Sequence, residues 1–276
     1  MFMWGLSWPS GKVAAGYGMP VNIVLIRYII VFLSFLPIFI FMKGPITISK
    51  KGIPSLLIAG LLLSLYTYLF FNGLRNGLAG AGGVLVTTMN PIMAYGIGLL
   101  ITRKSPSQNE SVGLMLGLLA GASLLKIWGN LDELFESGNL YFLLAAFVWA
   151  VMSRITSKAS NYGSSMTFSL WMYLATILIM LPLVDYTSLQ ETLSSADRYF
   201  WWNIVFSATF ATSLATTYYF YATTTLGPEK ASSFIFLVPV SAAFSSWFFL
   251  GEALLPHTII GGILGIAAVY MINKKK

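Results

Sequence analysis

"PIMAYGIGLLITRKSPSQNESVGLMLGLLA", residues 91–120, aligns without a gap on "PVSAAFSSWFFLGEALLPHTIIGGILGIAA", residues 239–268. Each stretch opens on a proline, Pro91 or Pro239. Each then carries a glycine pair at the same distance, Gly113 and Gly117 in one, Gly261 and Gly265 in the other. A repeat is read before any single site, because it sets how many structural units the chain contains. Upstream the match continues more weakly. "FMWGLSWPSGK" faces "FVWAVMSRITSK", pairing Phe2 with Phe147, Trp4 with Trp149 and, after a slip of one residue, Lys12 with Lys158. Two related halves are implied.

Composition says what the halves are made of. Hydrophobic residues make up 57% of the chain and charged residues 9%, against about 45–50% and about 25% in soluble domains. A membrane span needs only about 20 apolar residues. Apolar runs between charged or Pro/Gly-rich breaks predict ten helices, at 1–17, 22–42, 54–75, 79–101, 112–127, 140–158, 164–184, 200–226, 228–250 and 256–273. A transmembrane barrel would alternate apolar and polar positions, whereas "IRYIIVFLSFLPIFIF" and "SLWMYLATILIMLPL" are apolar all round. The first run has no basic region before it and no small-residue cleavage site after it, so it reads as a span and not as a secretory signal.

The predicted fold is therefore an all-α integral membrane protein of ten transmembrane helices in two five-helix repeats, 1–127 and 140–276, with an extracytoplasmic connector at 128–139. Five is odd, so the second half enters the membrane from the side opposite the first. This is the inverted arrangement whose repeat interface commonly holds a transporter's substrate site. Duplication kept for stability alone is the plain alternative.

Lysine and arginine set the orientation. With the N-terminus inside, the cytoplasmic side collects Lys43, Lys50, Lys51, Arg103, Lys104, Arg154, Lys158, Lys230, Lys274, Lys275 and Lys276, leaving Lys12, Arg27, Arg75, Lys126 and Arg198 elsewhere. Asp132, Glu133, Glu136, Asp185, Glu191, Asp197 and Glu252 then fall at or near the outer side. Both termini are expected in the cytoplasm. The net charge of +7 follows from topology and is not read as a nucleic-acid footprint. Cysteine is absent and His257 is the single histidine, which excludes a disulfide framework and thiolate or His-rich metal sites. No cofactor is expected.

"WGLSWPSGK", Pro20 and Arg27 in "IVLIRYIIVF" resemble the opening of the EamA family of the drug/metabolite transporter superfamily. "ASSFIFLVPVSAAFSSWFFLGEALLPHTIIGGILGIAAVYMI", with its Gly251-Glu252 pair, resembles that family's closing repeat. The resemblance implies ten helices and transport, chiefly export, of amino acids or other small metabolites across the inner (cytoplasmic) membrane. Two departures stand out. The first helix lacks the few residues usual before WG, an expectation of an incomplete N-terminus, and Arg103-Lys104 stands where the second half has Gly251-Glu252.

Candidate binding residues are those that lipid would penalise or that the repeat doubles. Lys12 and Arg27 lie in the outer half of the membrane, where a lipid-facing cation costs about 2.5–3.5 kcal/mol. Lys12 reads as an anchor for a carboxylate, or as a structural cation on helix-end carbonyls or snorkelling to headgroups; for Arg27 the structural role is favoured. Pro91 and Pro239 sit near the midplane, each freeing a carbonyl one turn back, which in lipid calls for a partner or a wet cavity. Both are read as hinge or kink positions. Thr87, Thr88 and Asn90 beside Pro91 favour a binding role there, with packing kinks as the alternative.

Among the aromatics, Trp4, Trp8, Tyr66, Tyr68, Trp149, Tyr218, Tyr219 and Tyr221 recur in helices one, three, six and eight. Trp4 and Trp149 gain weight from the repeat, while Tyr68 with Asn72, and Tyr218 with Tyr221, share helix faces. The predicted substrate-binding set is Trp4, Lys12, Tyr68, Asn72, Thr88, Asn90, Trp149, Tyr218 and Tyr221. Small-xxx-small glycines such as Gly113, Gly117 and Gly121 read as helix packing, and "GLAGAGG" is no phosphate loop because no Lys-Ser/Thr follows.

No carboxylate falls at mid-depth in any predicted helix, which favours facilitated diffusion or exchange over obligatory proton coupling. The leading reading is a carrier of small zwitterionic or weakly anionic metabolites. Its expected partners are a small-molecule substrate and the lipid bilayer, not nucleic acid, with a monomer sufficient and an oligomer left open. The rivals are an intramembrane enzyme, for which the spans carry no catalytic cluster, and a membrane assembly partner that transports nothing.

Overall fold

The computed structural model describes residues 1–43, 45–103, 105–129, 138–216, 218 and 237–274, and none of these is in a strand. The helices are α1 Phe2–Ala15, α2 Pro20–Phe41, α3 Ile53–Asn76, α4 Ala79–Thr102, α5 Gln108–Leu125, α6 Asn139–Thr156, α7 Ser165–Met180, α8 Tyr186–Ser195, α9 Arg198–Phe206, α10 Leu237–Leu250 and α11 Pro256–Asn273. A π-helical segment, Ser207–Leu214, continues α9. Among the described residues, six segments are long and apolar enough to cross a membrane: α2, α3 with the turn before it, α4, α6, α7 with the turn after it, and α11. The apolar α10 is shorter.

Local chemistry sets many of the helix ends. Pro20, Pro54 and Pro256 occupy first-turn positions of α2, α3 and α11, where a missing N–H costs nothing. Ser107 and Glu110 form a capping box at the start of α5, satisfying two orphan donors at once. The repeat-matched residues Arg103 and Gly251 both turn left-handed just beyond α4 and α10, at φ 51° and 66°. A glycine adopts this conformation freely and an arginine at some steric cost.

Helix α4 is central, packing on α1, α6, α10, α11 and α5. Around it α5 lies along α11, α3 along α6 and α7, and α2 along α7 and the π segment, while α1 runs between α10 and α9 with its π extension. Small residues let the backbones meet. Ser245 Oγ donates to the Gly5 carbonyl at 3.3 Å, and a Cβ on Gly82 would lie 2.5 Å from the Phe142 ring. Trp8, buried between α3 and α6, has the rings of Phe70 and Phe142 at centroid distances of 4.8 and 5.6 Å.

Two features differ from the sequence expectation. The stretch expected as an outer loop holds α8, capped by Asp185, and α9 starts behind a second cap, Asp197. The helix expected as one rod over 200–226 changes to π winding at Ser207. There Thr212, Ser213 and Thr216 hydroxyls donate to carbonyls five residues back, at 3.2–3.3 Å, in competition with the regular ladder. The end of expected helix eight and the start of helix nine, with Tyr219, Tyr221, Glu229 and Lys230, lie outside the described residues. So do Lys104, Asp132, Glu133, Glu136, Lys275 and Lys276.

Candidate functional site

One face of α4 leads to the site. Gly83, Thr87, Asn90 and Ala94 follow the i, i+4, i+7, i+11 spacing of a single helix face. At the level of Gly83 that face is filled, because a Cβ there would overlap Ala242 of α10 and sit 3.2 Å from the Trp8 ring. About 10 Å further along, at a rise of about 1.5 Å per residue, Asn90, Pro91 and Ala94 are only half-buried. Half-buried at the corresponding levels of the neighbouring helices are Trp4 of α1, Tyr66 of α3 and Trp149 of α6. The Tyr66 and Trp149 rings meet at 4.7 Å, and Trp4 Nε1 donates to the Ala211 carbonyl of the π segment at 2.8 Å. A buried aromatic layer of Trp8, Phe70 and Phe142 thus roofs the half-buried Trp4, Tyr66, Asn90 and Trp149.

Lys12 lies above this roof. Its Nζ donates to the carbonyls of Leu74 and Gly77 at 2.6 and 2.8 Å, closing the C-terminal end of α3, where carbonyls lack helical partners and the dipole favours a cation. Three residues on, Glu252 closes the start of α4. Its carboxylate accepts from the N–H groups of Ala79 and Gly80, both at 2.8 Å, at a terminus whose N-cap, Leu78, has no capping side chain. The α3–α4 turn is therefore held from both sides by opposite charges, each suited to the helix end it meets. This is the helix-end geometry foreseen as the structural role for Lys12.

The same end carries a second set of ties. Tyr17 donates its hydroxyl to Asp197 Oδ1 at 2.7 Å, and Asn22 Nδ2 donates to Ser188 and Thr192 of α8. The N–H of Phe200, followed by the Tyr17 hydroxyl, holds the Asp197 carboxyl below its usual range.

Arg27 is different. It is 9% exposed, and Nη2 donates to Thr212 Oγ1 of the π segment at 3.0 Å. Nε is buried with no hydrogen-bond partner among the described residues. The guanidinium carbon stands 5.7 Å from the ring centres of both Phe70 and Phe71, and Tyr28, Tyr66 and Tyr173 are its electrostatic neighbours. Because Thr212 adjoins Ala211, to which Trp4 is bonded, the guanidinium reaches the same layer as Trp4 and Tyr66.

The other predicted residues are placed elsewhere. Thr88 is buried against Gly265 of α11, on the side of α4 away from Asn90, with its hydroxyl unpartnered. Tyr68 lies on the exposed stripe of Leu57, Leu61 and Leu65, and Asn72 Nδ2 is bonded to the Tyr68 carbonyl at 2.8 Å. Tyr218 is 70% exposed. Tyr221, its expected partner, lies outside the described residues. Pro91 is inside a helix that continues to Thr102, and Pro239 is buried near the start of the described part of α10. Sequence reading did not assign Thr212, Phe142 or the capping role of Glu252. The Gly251-Glu252 pair was visible, but its target lies 173 residues earlier in the chain. No trio of His, Cys, Asp and Glu able to hold a metal occurs among the described residues.

Comparison with known proteins agrees with this architecture. The uncharacterized transporter YdfC of Bacillus subtilis is 25% identical over 97% of this chain and 86% of its own length. A second uncharacterized transporter of that organism, YvbV, is 24% identical over the full chain and 89% of its own. A WAT1-related chloroplastic protein of Arabidopsis thaliana is 26% identical over 73% of the chain, which spans half of that protein's length. A solved crystal structure of a protein 14% identical shares the fold at a TM-score of 0.63, over 98% of this chain and 93% of its own. The EamA-like transporter family matches residues 1–125 and 136–274. With nearly its whole length matched in this way, the chain belongs to the EamA-like transporter family and is a multi-pass membrane transporter.

Proposed function

We propose that the protein moves small zwitterionic or weakly anionic metabolites, amino acids among them, out of the cell by alternating access between two inverted repeats, 1–127 and 140–276, joined through 128–139. The ten spans of this reading are α1 to α7, α9 with its π extension, α10 and α11. The observation that carries it is reciprocal packing. Helix α3 packs on α6 as α1 packs on α9 and the π segment; α4 packs on α6 as α1 packs on α10; and α2 packs on the π segment as α3 packs on α7. Three further pairs, α2 with α7, α4 with α10 and α5 with α11, join each helix to its own counterpart, while α4 also packs on α11 without a matching α5–α10 pair of similar extent among the described residues. A two-fold axis relating two five-helix halves generates this exchange pattern. The matched tryptophans follow it too, Trp149 leaning on Tyr66 of α3 and Trp4 on Ala211 of the π segment.

In this reading the substrate occupies the layer of Trp4, Tyr66, Asn90 and Trp149. The layer opens toward the end bearing Lys50, Lys51, Arg103 and Arg154, which the charge distribution assigns to the cytoplasm of an inner-membrane protein. Lys12 and Glu252 hold the outer end shut. The missing mid-depth acid supports exchange or facilitated diffusion. Counterflow in proteoliposomes against a metabolite panel, with equal pH on both sides, is the test. Flux down the solute gradient supports the reading, flux that appears only with an imposed proton gradient overturns the coupling, and no flux for any solute overturns the carrier.

A further inference from the structure

Among the described residues, three buried polar side-chain atoms lack a hydrogen-bond partner: Arg27 Nε, Thr88 Oγ1 and Ser246 Oγ. Two are hydroxyls at helix contacts. The third belongs to a cation with a fork of N–H donors, of which the bond to Thr212 uses one. Lys12, on the preceding helix, has its charge met by two carbonyls. Arg27 has the faces of Phe70 and Phe71 and one hydroxyl, and among the described residues no carboxylate is hydrogen-bonded to it.

A purely structural arginine at this depth would have its remaining donors tied to carbonyls, because a buried donor left unmade is costly. The free Nε lies on the same edge of the guanidinium as Nη2, the edge that receives a carboxylate side-on through two parallel bonds. Thr212 stands at that edge on the π segment, a winding found disproportionately at functional sites. Trp4 is bonded to the adjacent residue, Ala211, so the edge adjoins the layer proposed to hold the substrate.

Resting on the carrier reading above, we infer that Arg27 is the residue that selects the substrate's carboxylate. Thr212 orients the guanidinium, and Tyr66, Trp4 and Trp149 contact the apolar remainder of the molecule. Lys12 takes no part in recognising the acid. The substrate class is then small organic acids and zwitterions with a free carboxylate, and the amides of the same molecules are discriminated against.

Counterflow by the full-length protein tests this with three matched pairs: phenylalanine and phenylalaninamide, leucine and leucinamide, phenylacetate and phenylacetamide. The wild-type protein is expected to move at least one acid about tenfold faster than its amide, a difference of about 1.4 kcal/mol. Arg27→Gln should bring that ratio close to one while amide flux persists, and Arg27→Lys should keep part of the preference through charge alone. Thr212→Val, which removes the one bond and leaves the charge, should retain a reduced preference. Wild-type flux with no preference for acids overturns the role of Arg27 and leaves the carrier reading standing. No flux for any member of the pairs, together with no flux for the wider panel, overturns both. If Arg27→Gln does not fold, Thr212→Val decides: a reduced acid preference supports the role of Arg27, and an unchanged preference overturns it.

Discussion

The two halves of α4 share one helix and differ in nearly everything around it. From Ala79 to Met89 all residues except Ala81 and Thr87 are buried; from Pro91 to Leu99 only Ile92 is. In the first half, glycines are required because neighbours press on them, Gly82 against Phe142 and Gly83 against Ala242 and Trp8. In the second half, a Cβ on Gly96 would meet nothing within 4 Å. The tight half is also the one whose terminus is closed by Glu252 and whose preceding turn is closed by Lys12. One end of the bundle is thus locked by close packing and two charges, while the other is loose. In the proposed alternating-access reading, this asymmetry corresponds to a carrier open to one side.

Overfilling the tight half should produce the largest effect. Gly83→Leu forces its side chain into Ala242 and Trp8 and should cost about 1–3 kcal/mol or more, read as a lowered thermal midpoint in detergent. Gly96→Ala should be neutral or stabilise by about 0.5–1 kcal/mol. Equal effects at the two glycines would erase the distinction between the halves.

The charges come next. Lys12→Met leaves the Leu74 and Gly77 carbonyls without their cation, at about 1–3 kcal/mol. Glu252→Gln keeps an acceptor but loses the favourable charge at the α4 terminus, at about 0.3–1 kcal/mol. Both should lower stability and reduce flux of acids and amides alike. A selective loss of acids in Lys12→Met would restore Lys12 as a substrate anchor.

Pro91 stands where tight changes to loose. Pro91→Ala should restore a helical hydrogen bond and stiffen that junction, so turnover should fall a few-fold, about 1 kcal/mol in the barrier, with expression maintained. Parallel losses of turnover and expression would instead make Pro91 a packing kink.

Much of this architecture was legible before any coordinates, because its signals are local. Apolar runs mark the membrane-length helices and prolines mark first turns, while the gapless match of 91–120 with 239–268 supports the repeat that the proposed function rests on. Trp4, Trp149 and Asn90 stand among the candidates because the repeat or a neighbouring proline singles them out. What was not legible depends on contacts across the fold. Nothing near Ala79 in sequence announces that its N–H will be capped by Glu252, and nothing near Leu74 points to Lys12. Helix α8 was hidden by its polarity, although Asp185 and Asp197 are ordinary N-cap residues and could have revealed both helix starts. The π winding at 207–214 has no proline or glycine to announce it; its hydroxyls are its only local trace. Tyr68 is exposed and Thr88 packs against Gly265, and spacing shows which residues share a face but not whether that face meets lipid or a neighbouring helix.

Access to the Asn90 face is the central claim, and the chain's lack of cysteine makes it directly measurable. Single cysteines at Asn90, Ala94 and Ala79 can be challenged with a membrane-impermeant maleimide in oriented vesicles. Asn90→Cys and Ala94→Cys should react from the side carrying Lys50 and Lys51 and be slowed by a transported solute, while Ala79→Cys stays unreactive. Labelling of Ala79→Cys as fast as the other two, or no labelling of Asn90→Cys and Ala94→Cys from either side, would contradict a site open at one end and locked at the other.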